Sequence, residues 1–335
     1  MSLTTASTIA LAHDLRLFSY IQVAVTVTVL YDHALTFGRE IEYIWRKSPS
    51  LVTALYLLDR YLCDAVVIVG AYLCLTEVAS TDVSFRLFQV RAWGTLLYSW
   101  LTQCIMQLRI YAMYHRSRRI LILLLAAFCS EVFAIVVIIW RTIGPASKLA
   151  VTDEPYPGKH MCTFSGINKN FTYLFVPVLC FEILLFVLAI KVSLRNMRNT
   201  KTASNLCVDS FMSILVRDSV LYFFINLMVC AVTMGMWGNI TALRANISIP
   251  FVMLAEAIVG TRMVINFKEH CFHRFSMEPI MMAGATESIR FAAASRNTTR
   301  LSIKGDEEMQ RMKDRESTEI IAYEELSSTC EVPRI

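Results

Sequence analysis

Asp32, His33, Asp59, Arg60, Arg109, Glu182, Arg217, Asp218 and Arg262 all fall inside long apolar runs, as do Asp64, Glu131 and Glu256. An ionisable side chain in hydrocarbon costs several kcal/mol unless it is paired or hydrated, so each such residue marks a functional or a structural site. Measured from the ends of their runs, the first nine lie at one level and form an inner polar layer, while Asp64, Glu131 and Glu256 lie nearer the midplane. Acids and bases supplied by several helices at one level can form ion pairs, and re-pairing among them would couple an outer ligand to an inner partner. The same residues also serve as static glue, with Arg109 and Arg262 reaching the headgroups while the acids satisfy Arg60 and Arg217. Mid-membrane carboxylates such as Asp64 and Glu256 are what a proton or cation path requires. Neither a repeat between the chain halves nor a Gly/Pro-rich pair of broken helices accompanies them.

The elements that must carry these charges are seven apolar runs: Leu17 to Phe37, Leu51 to Leu75, Phe88 to Tyr111, Ile120 to Trp140, Phe171 to Ile190, Phe211 to Trp237 and Ile247 to Phe267. About 20 helical residues cross a hydrocarbon core of roughly 30 Å, and backbone polar groups in that core must be satisfied within the segment, so each run is expected to be a spanning helix. Composition agrees: 56% of residues are hydrophobic and 18% charged, against about 25% charged in soluble domains. The expected fold is all-α and polytopic, with a short outer segment at 1–16, a seven-helix domain at 17–267 and a largely disordered cytoplasmic tail at 268–335.

Lys and Arg set the orientation, because cytoplasmic loops retain positive charge. The first, third and fifth loops hold ten of them, including Arg46, Lys47, Arg118, Arg119 and Arg195, whereas the other three hold six over a greater length. The N-terminus is therefore expected outside and the C-terminus inside. Met1 to Asp14 shows no basic segment followed by an apolar one, so the first helix is expected to act as its own targeting signal. The net charge of +5 is accounted for by a basic inner face meeting anionic lipid, and no nucleic-acid partner is implied.

Asn170-Phe-Thr and Asn239-Ile-Thr are glycosylation sequons on the expected outer side. Cys74 and Cys162 both fall on that oxidising side and are candidates for a disulfide. The fourth loop, Arg141 to Asn170, contains a turn-rich Asp153 to Gly158 run that reads either as a lid over a small-ligand entrance or as a connector. Past the last run, Phe267, Cys271, Phe272 and Phe275 have the spacing of a short helix on the inner leaflet, where Cys271 is a candidate for palmitoylation. Thr299 and Ser302 follow basic residues in the polar tail and are candidate phosphorylation sites.

Tyr31-Asp-His, then Glu40 and Glu42 ahead of Ile44-Trp-Arg46, then Arg60-Tyr61, make up a segment from Tyr31 to Leu62 with a recognisable pattern. It resembles the N-terminal domain of unknown function in multi-spanning membrane proteins abundant in mushroom-forming fungi. Leu108 to Tyr114 and Arg262 to Phe267 resemble that family's third and seventh helix ends. The resemblance implies a fungal integral membrane protein on a seven-helix plan, and it brings no settled activity.

Several activities are argued against. None of the seven runs contains the Lys that a retinal Schiff base needs. His33 is the single histidine within a run, too few for a zinc site, so neither metal nor cofactor is expected. No Gly-rich phosphate loop or serine nucleophile elbow is present, and an enzyme is not expected. Asp59-Arg-Tyr61 repeats a tripeptide of rhodopsin-like receptors but falls well inside the second run, and the last run ends Val264-Ile-Asn-Phe267 without their Asn-Pro-x-x-Tyr. The expected role is receptor-like sensing, with an unknown small ligand and a cytoplasmic partner at the basic loops, in the plasma membrane by default. The alternatives are a small-solute or proton transporter and a non-signalling scaffold.

Overall fold

The computed structural model describes residues 2–46, 50–76, 81–114, 116–143, 150–152, 163–165, 169–200, 206–240 and 242–269. The fold is helical: α1 (Ser2–Glu40), α2 (Leu51–Leu75), α3 (Thr81–Met113), α4 (Arg118–Ile143), α5 (Phe175–Thr200), α6 (Leu206–Asn239), a single turn α7 (Ala242–Ala245) and α8 (Ser248–Glu269). Between α4 and α5 one antiparallel strand pair aligns Ala150 with Ser165 and Thr152 with Thr163. The expected outer segment at 1–16 is helical from Ser2, continuous with the first run. The turn-rich Asp153 to Gly158 run lies outside the described residues.

Local sequence explains where the helices begin and stop. Pro177 and Pro250 each take the third position of their helix, α5 and α8, where no intrahelical acceptor awaits the missing N–H. Between α3 and α4, Arg116 adopts φ 56° and its N–H bonds Tyr111 O at 3.1 Å, reversing the chain within a few residues.

Among the described residues, four helical stretches are long and apolar enough to cross a membrane: Arg118–Arg141, Thr172–Arg195, Ser219–Asn239 and Ser248–Glu269. Their burial differs, 61% for the last against 17% for the first, which makes α8 a central helix and α4 a peripheral one. Helices α1, α2 and α3 are as long or longer but carry polar and ionisable residues along one side, among them Gln22, Asp32, Asp59, Arg60, Asp64, Gln103 and Gln107, all buried. Large apolar side chains meanwhile face outward, including Tyr31, Leu58, Ile122, Phe133, Trp140 and Leu221. Polar inside and apolar outside inverts the soluble arrangement and identifies a protein embedded in a membrane.

Residues 1–38 and 53–263 form one compact unit, and residues 39–52 with 264–335 a second. In the first, Val25 and Val29 of α1, Cys63, Val66 and Val67 of α2, Tyr98 of α3 and Met253 and Ala257 of α8 make a buried core. Small residues bring the backbones close. A Cβ at Gly94 would lie 2.6 Å from Val66 Cγ2, and Thr26 Oγ1 donates to Val67 O at 3.0 Å across the α1–α2 contact. Helices α5 and α6 pack through Phe186 and Phe224, with ring centroids 5.9 Å apart, and Asn226 Nδ2 reaches Met106 Sδ of α3 at 3.3 Å. In the second unit, a π-helical turn, Ile41–Trp45, extends α1. Glu40 Oε1 there accepts from Trp45 Nε1 at 3.1 Å, and Arg39 Nη1 donates to Asn266 Oδ1 at 3.4 Å and Glu269 Oε2 at 3.3 Å.

Candidate functional site

Asp32 is the hub of one polar group among the described residues. Its Oδ2 accepts from Arg60 Nη1 of α2 at 3.5 Å, and its Oδ1 accepts from Arg262 of α8, Nη2 at 2.7 Å and Nε at 3.2 Å. Arg60 Nη2 also donates to Thr36 Oγ1 at 2.5 Å, and that hydroxyl donates to Asp32 O at 2.7 Å. The two guanidiniums are unequal, since the Arg60 side chain is 5% exposed and that of Arg262 is 44% exposed. One is locked in, and the other sits at the rim.

One turn away, His33 Nδ1 and Asp64 Oδ2 share a hydrogen bond at 2.5 Å, with the Tyr61 ring edge-on to the imidazole at 5.4 Å. Asp59, fully buried, accepts on Oδ1 from Thr102 Oγ1 of α3 at 2.8 Å. Gly260 makes room for this contact, because a Cβ there would come within 3.1 Å of Asp59 Oδ2. Asp32, Asp59, Arg60, Asp64 and Thr261 line a cavity with about 10 Å³ of space for a water centre, which suits one molecule. Asp59 Oδ2 and Arg60 Nε are an acceptor and a donor without protein partners among the described residues. We expect Thr102→Val to lower stability by about 1–3 kcal/mol, the cost of depriving a buried carboxylate oxygen of its donor, and Thr102→Ser to leave it near the parent value. Thermal unfolding of the three purified chains checks this.

A second group joins α3, α4, α5, α6 and α8. Gln103 Nε2 donates to Glu131 Oε1 at 2.9 Å, and Ser99 Oγ donates to Glu256 Oε1 at 2.9 Å. Glu182 has Gln103 and Asn226 as polar neighbours and Glu131 and Glu256 as charged ones. All three glutamates are buried.

The sequence-based division of these residues changes at two places. Asp64, expected near the midplane, belongs with the inner group, because it follows Arg60 by four residues and shares its helix face. Glu182, expected in the inner layer, falls with Glu131 and Glu256, since it lies only two turns into α5. Asp32, His33, Asp59, Arg60 and Arg262 lie together around the cavity and its hydrogen bonds. Arg109 meets α6 instead, donating from Nε to Ser219 Oγ at 3.1 Å.

Arg217 and Asp218 lie on the backbone of α6, with side chains outside the described residues, as is that of Asn170. Cys162, Cys271, Thr299 and Ser302 lie wholly outside them. Cys74 is a free thiol, and exposed Asn239 donates from Nδ2 to Gly235 O at 2.9 Å. Among the described residues no three His, Cys, Asp or Glu side chains are placed to hold a metal ion.

Sequence reasoning passed over Gln22, Thr36, Arg91, Thr102 and Gln103. The signal was present as periodicity. Gln22, Thr26, Asp32, His33, Thr36 and Glu40 recur at helical spacing along α1, a polar stripe that faces inward here.

Fold and site together define a membrane-embedded helical protein organised around an internal polar network. Residues 20–63 match a family described as "Family of unknown function (DUF6533)". That stretch contains Val29, Asp32, Asp59, Arg60 and Cys63 of the cavity lining, together with Gln22, His33 and Thr36. A search of the curated proteins returned no match.

Proposed function

We propose that the chain is a receptor-like protein with seven spans, its N-terminus outside and its C-terminus inside. An outer or intramembrane small ligand would bias the Asp32 group, and the basic inner loops would carry the result to a cytoplasmic partner at the plasma membrane. The observation that carries this reading is the double use of Asp32: each oxygen takes a guanidinium from a different helix, one buried and one near the rim. Such a hub has a natural second state, in which Arg262 leaves for the headgroups while Arg60 keeps the carboxylate neutralised. Helices α1, α2 and α3, at 39, 25 and 33 residues, have the length to cross, and the interior placement of their polar residues removes the objection from hydropathy. The likeness to fungal multi-spanning proteins supports the same plan. No catalytic role is assigned.

The reading is tested by labelling single cysteines placed at the inner ends of α3 and α8 in intact membranes. Arg262→Gln is expected to raise their labelling rates several-fold at unchanged expression. Equal rates in parent and variant would leave Asp32 as glue. Tags at the two termini, scored for protease protection, should report opposite sides.

A transporter is the second reading, favoured by the convergence of Glu131, Glu182 and Glu256, whose polar partners Gln103, Ser99 and Asn226 are neutral. Proton flux into proteoliposomes that disappears in Glu256→Gln would move the assignment there. A scaffold role would show as normal function after the Asp32 group is neutralised in pairs.

A further inference from the structure

The N-terminal third of α3 holds a cation that neither polar group uses. Arg91 Nη2 donates to Gln22 Oε1 of α1 at 2.9 Å, and the guanidinium carbon stands 5.5 Å over the Phe18 ring. No acid partners it among the described residues: its hydrogen-bond acceptor is a neutral amide, with the Cys74 thiol in the neighbourhood. A part-buried guanidinium packed between helices without a counter-ion is costly, and five N–H groups in a planar fork are suited to an oxyanion.

Gln22 gives a second and independent indication. It is fully buried, and with its oxygen committed to Arg91 its Nε2 is left as a donor without an acceptor. A Cβ at Gly70 would lie 2.7 Å from Gln22 Nε2 and 3.4 Å from Arg91 Nε, so the bare glycine of α2 is what lets the two side chains lie together there. An amide donor without an acceptor among the described residues, beside a guanidinium without a counter-ion and an aromatic ring, is a donor set matched to a small negative group carried on an apolar body.

We propose that Arg91 and Gln22 bind an oxyanion, the carboxylate of an amphiphile or the phosphate of a lipid headgroup, entering between α1 and α3. Binding does not depend on signalling or transport and stands apart from both readings above.

The test uses the full chain purified in an uncharged maltoside detergent in phosphate-free buffer. Sodium octanoate is titrated in one arm and phosphatidylglycerol in mixed micelles in the other, at constant ionic strength, with octanamide as the neutral control. A ligand that prefers the folded state raises the unfolding temperature saturably. At least one oxyanion is expected to do so while octanamide does not. Arg91→Gln should weaken the apparent affinity about tenfold or more, the scale of one charge-assisted hydrogen bond, and Gln22→Met by a few-fold. A response to octanoate alone identifies a free carboxylate, a response to the lipid alone a headgroup, and mutual competition one site for both. If Arg91→Gln does not fold, Gln22→Met, which leaves every charge in place, decides the matter with Arg91→Lys. No saturable shift in the parent, an equal shift with octanamide, or undiminished affinity in the variants that fold would overturn the proposal.

Discussion

An Asp32→Asn chain is expected to lose about 3–5 kcal/mol of stability, the cost of leaving a buried charge without its partner. The change is isosteric, so packing stays as it is and the loss reports charge. Arg60, whose side chain is 5% exposed, would retain the Thr36 hydroxyl and the nearby Asp59 carboxyl but no directly bonded carboxylate. Asp64 stands one turn away on the same face, yet it is engaged with His33 and cannot come over without releasing the imidazole. Two comparisons separate this from a general weakening. Arg262→Gln should cost no more than about 1 kcal/mol, because a half-exposed guanidinium is rehydrated when its pairing is lost. The double variant Asp32→Asn with Arg60→Met should recover much of the single loss, since it removes the orphaned charge. Thermal unfolding in detergent gives all three values. A single variant as stable as the parent would mean that the Asp32–Arg60 pair is incidental.

Gly94→Ala should also destabilise, by up to about 3 kcal/mol, despite the better helix propensity of alanine. The new methyl would sit 2.6 Å from Val66 Cγ2, and a β-branched side chain has no alternative rotamer to retreat into within a helix. The α2–α3 contact must open. Opening it disturbs the register of Thr102 against Asp59, so the effect should reach the cavity. Adding Val66→Ala is expected to restore most of the loss by vacating the contested volume. Gly235→Ala supplies the contrast, because nothing lies within 4 Å of a Cβ there and the change should be neutral or stabilising. If both glycine variants behaved alike, close approach at Gly94 would not be what holds α2 against α3.

Helices were the legible part of the chain, because apolar runs of 20 residues leave the backbone one way to satisfy itself. Which charges would meet was legible where sequence spacing alone decides it. Asp32 and Arg60 come from adjacent helices joined by a short connection, and both were assigned to one level. Depth along a helix was harder to read from windows. Glu182 and Asp64 each have partners in the other group, since the relative height of two helices depends on how their side chains interlock and not on where hydropathy begins. The neutral partners, Thr36, Thr102 and Gln103, carry no charge to draw attention in an apolar run, yet they fix the orientation of every carboxylate they touch. Arg91 was hidden for the opposite reason: it lies close enough to the start of its run to be read as a flank.

The position of α8 in the chain has a consequence for how the protein is made. Among the described residues it is the last of the long helices in chain order, yet it supplies Arg262 to Asp32, Glu256 to Ser99, and Met253 and Ala257 to the central core. Until it has been made, the earlier helices have a half-neutralised aspartate and an unfilled seam. A nascent chain that stops short, or whose last helix fails to insert, keeps those polar surfaces open to lipid. The final helix therefore certifies the ones before it, and an unfinished copy carries on its own surface the mark by which membrane quality control can remove it.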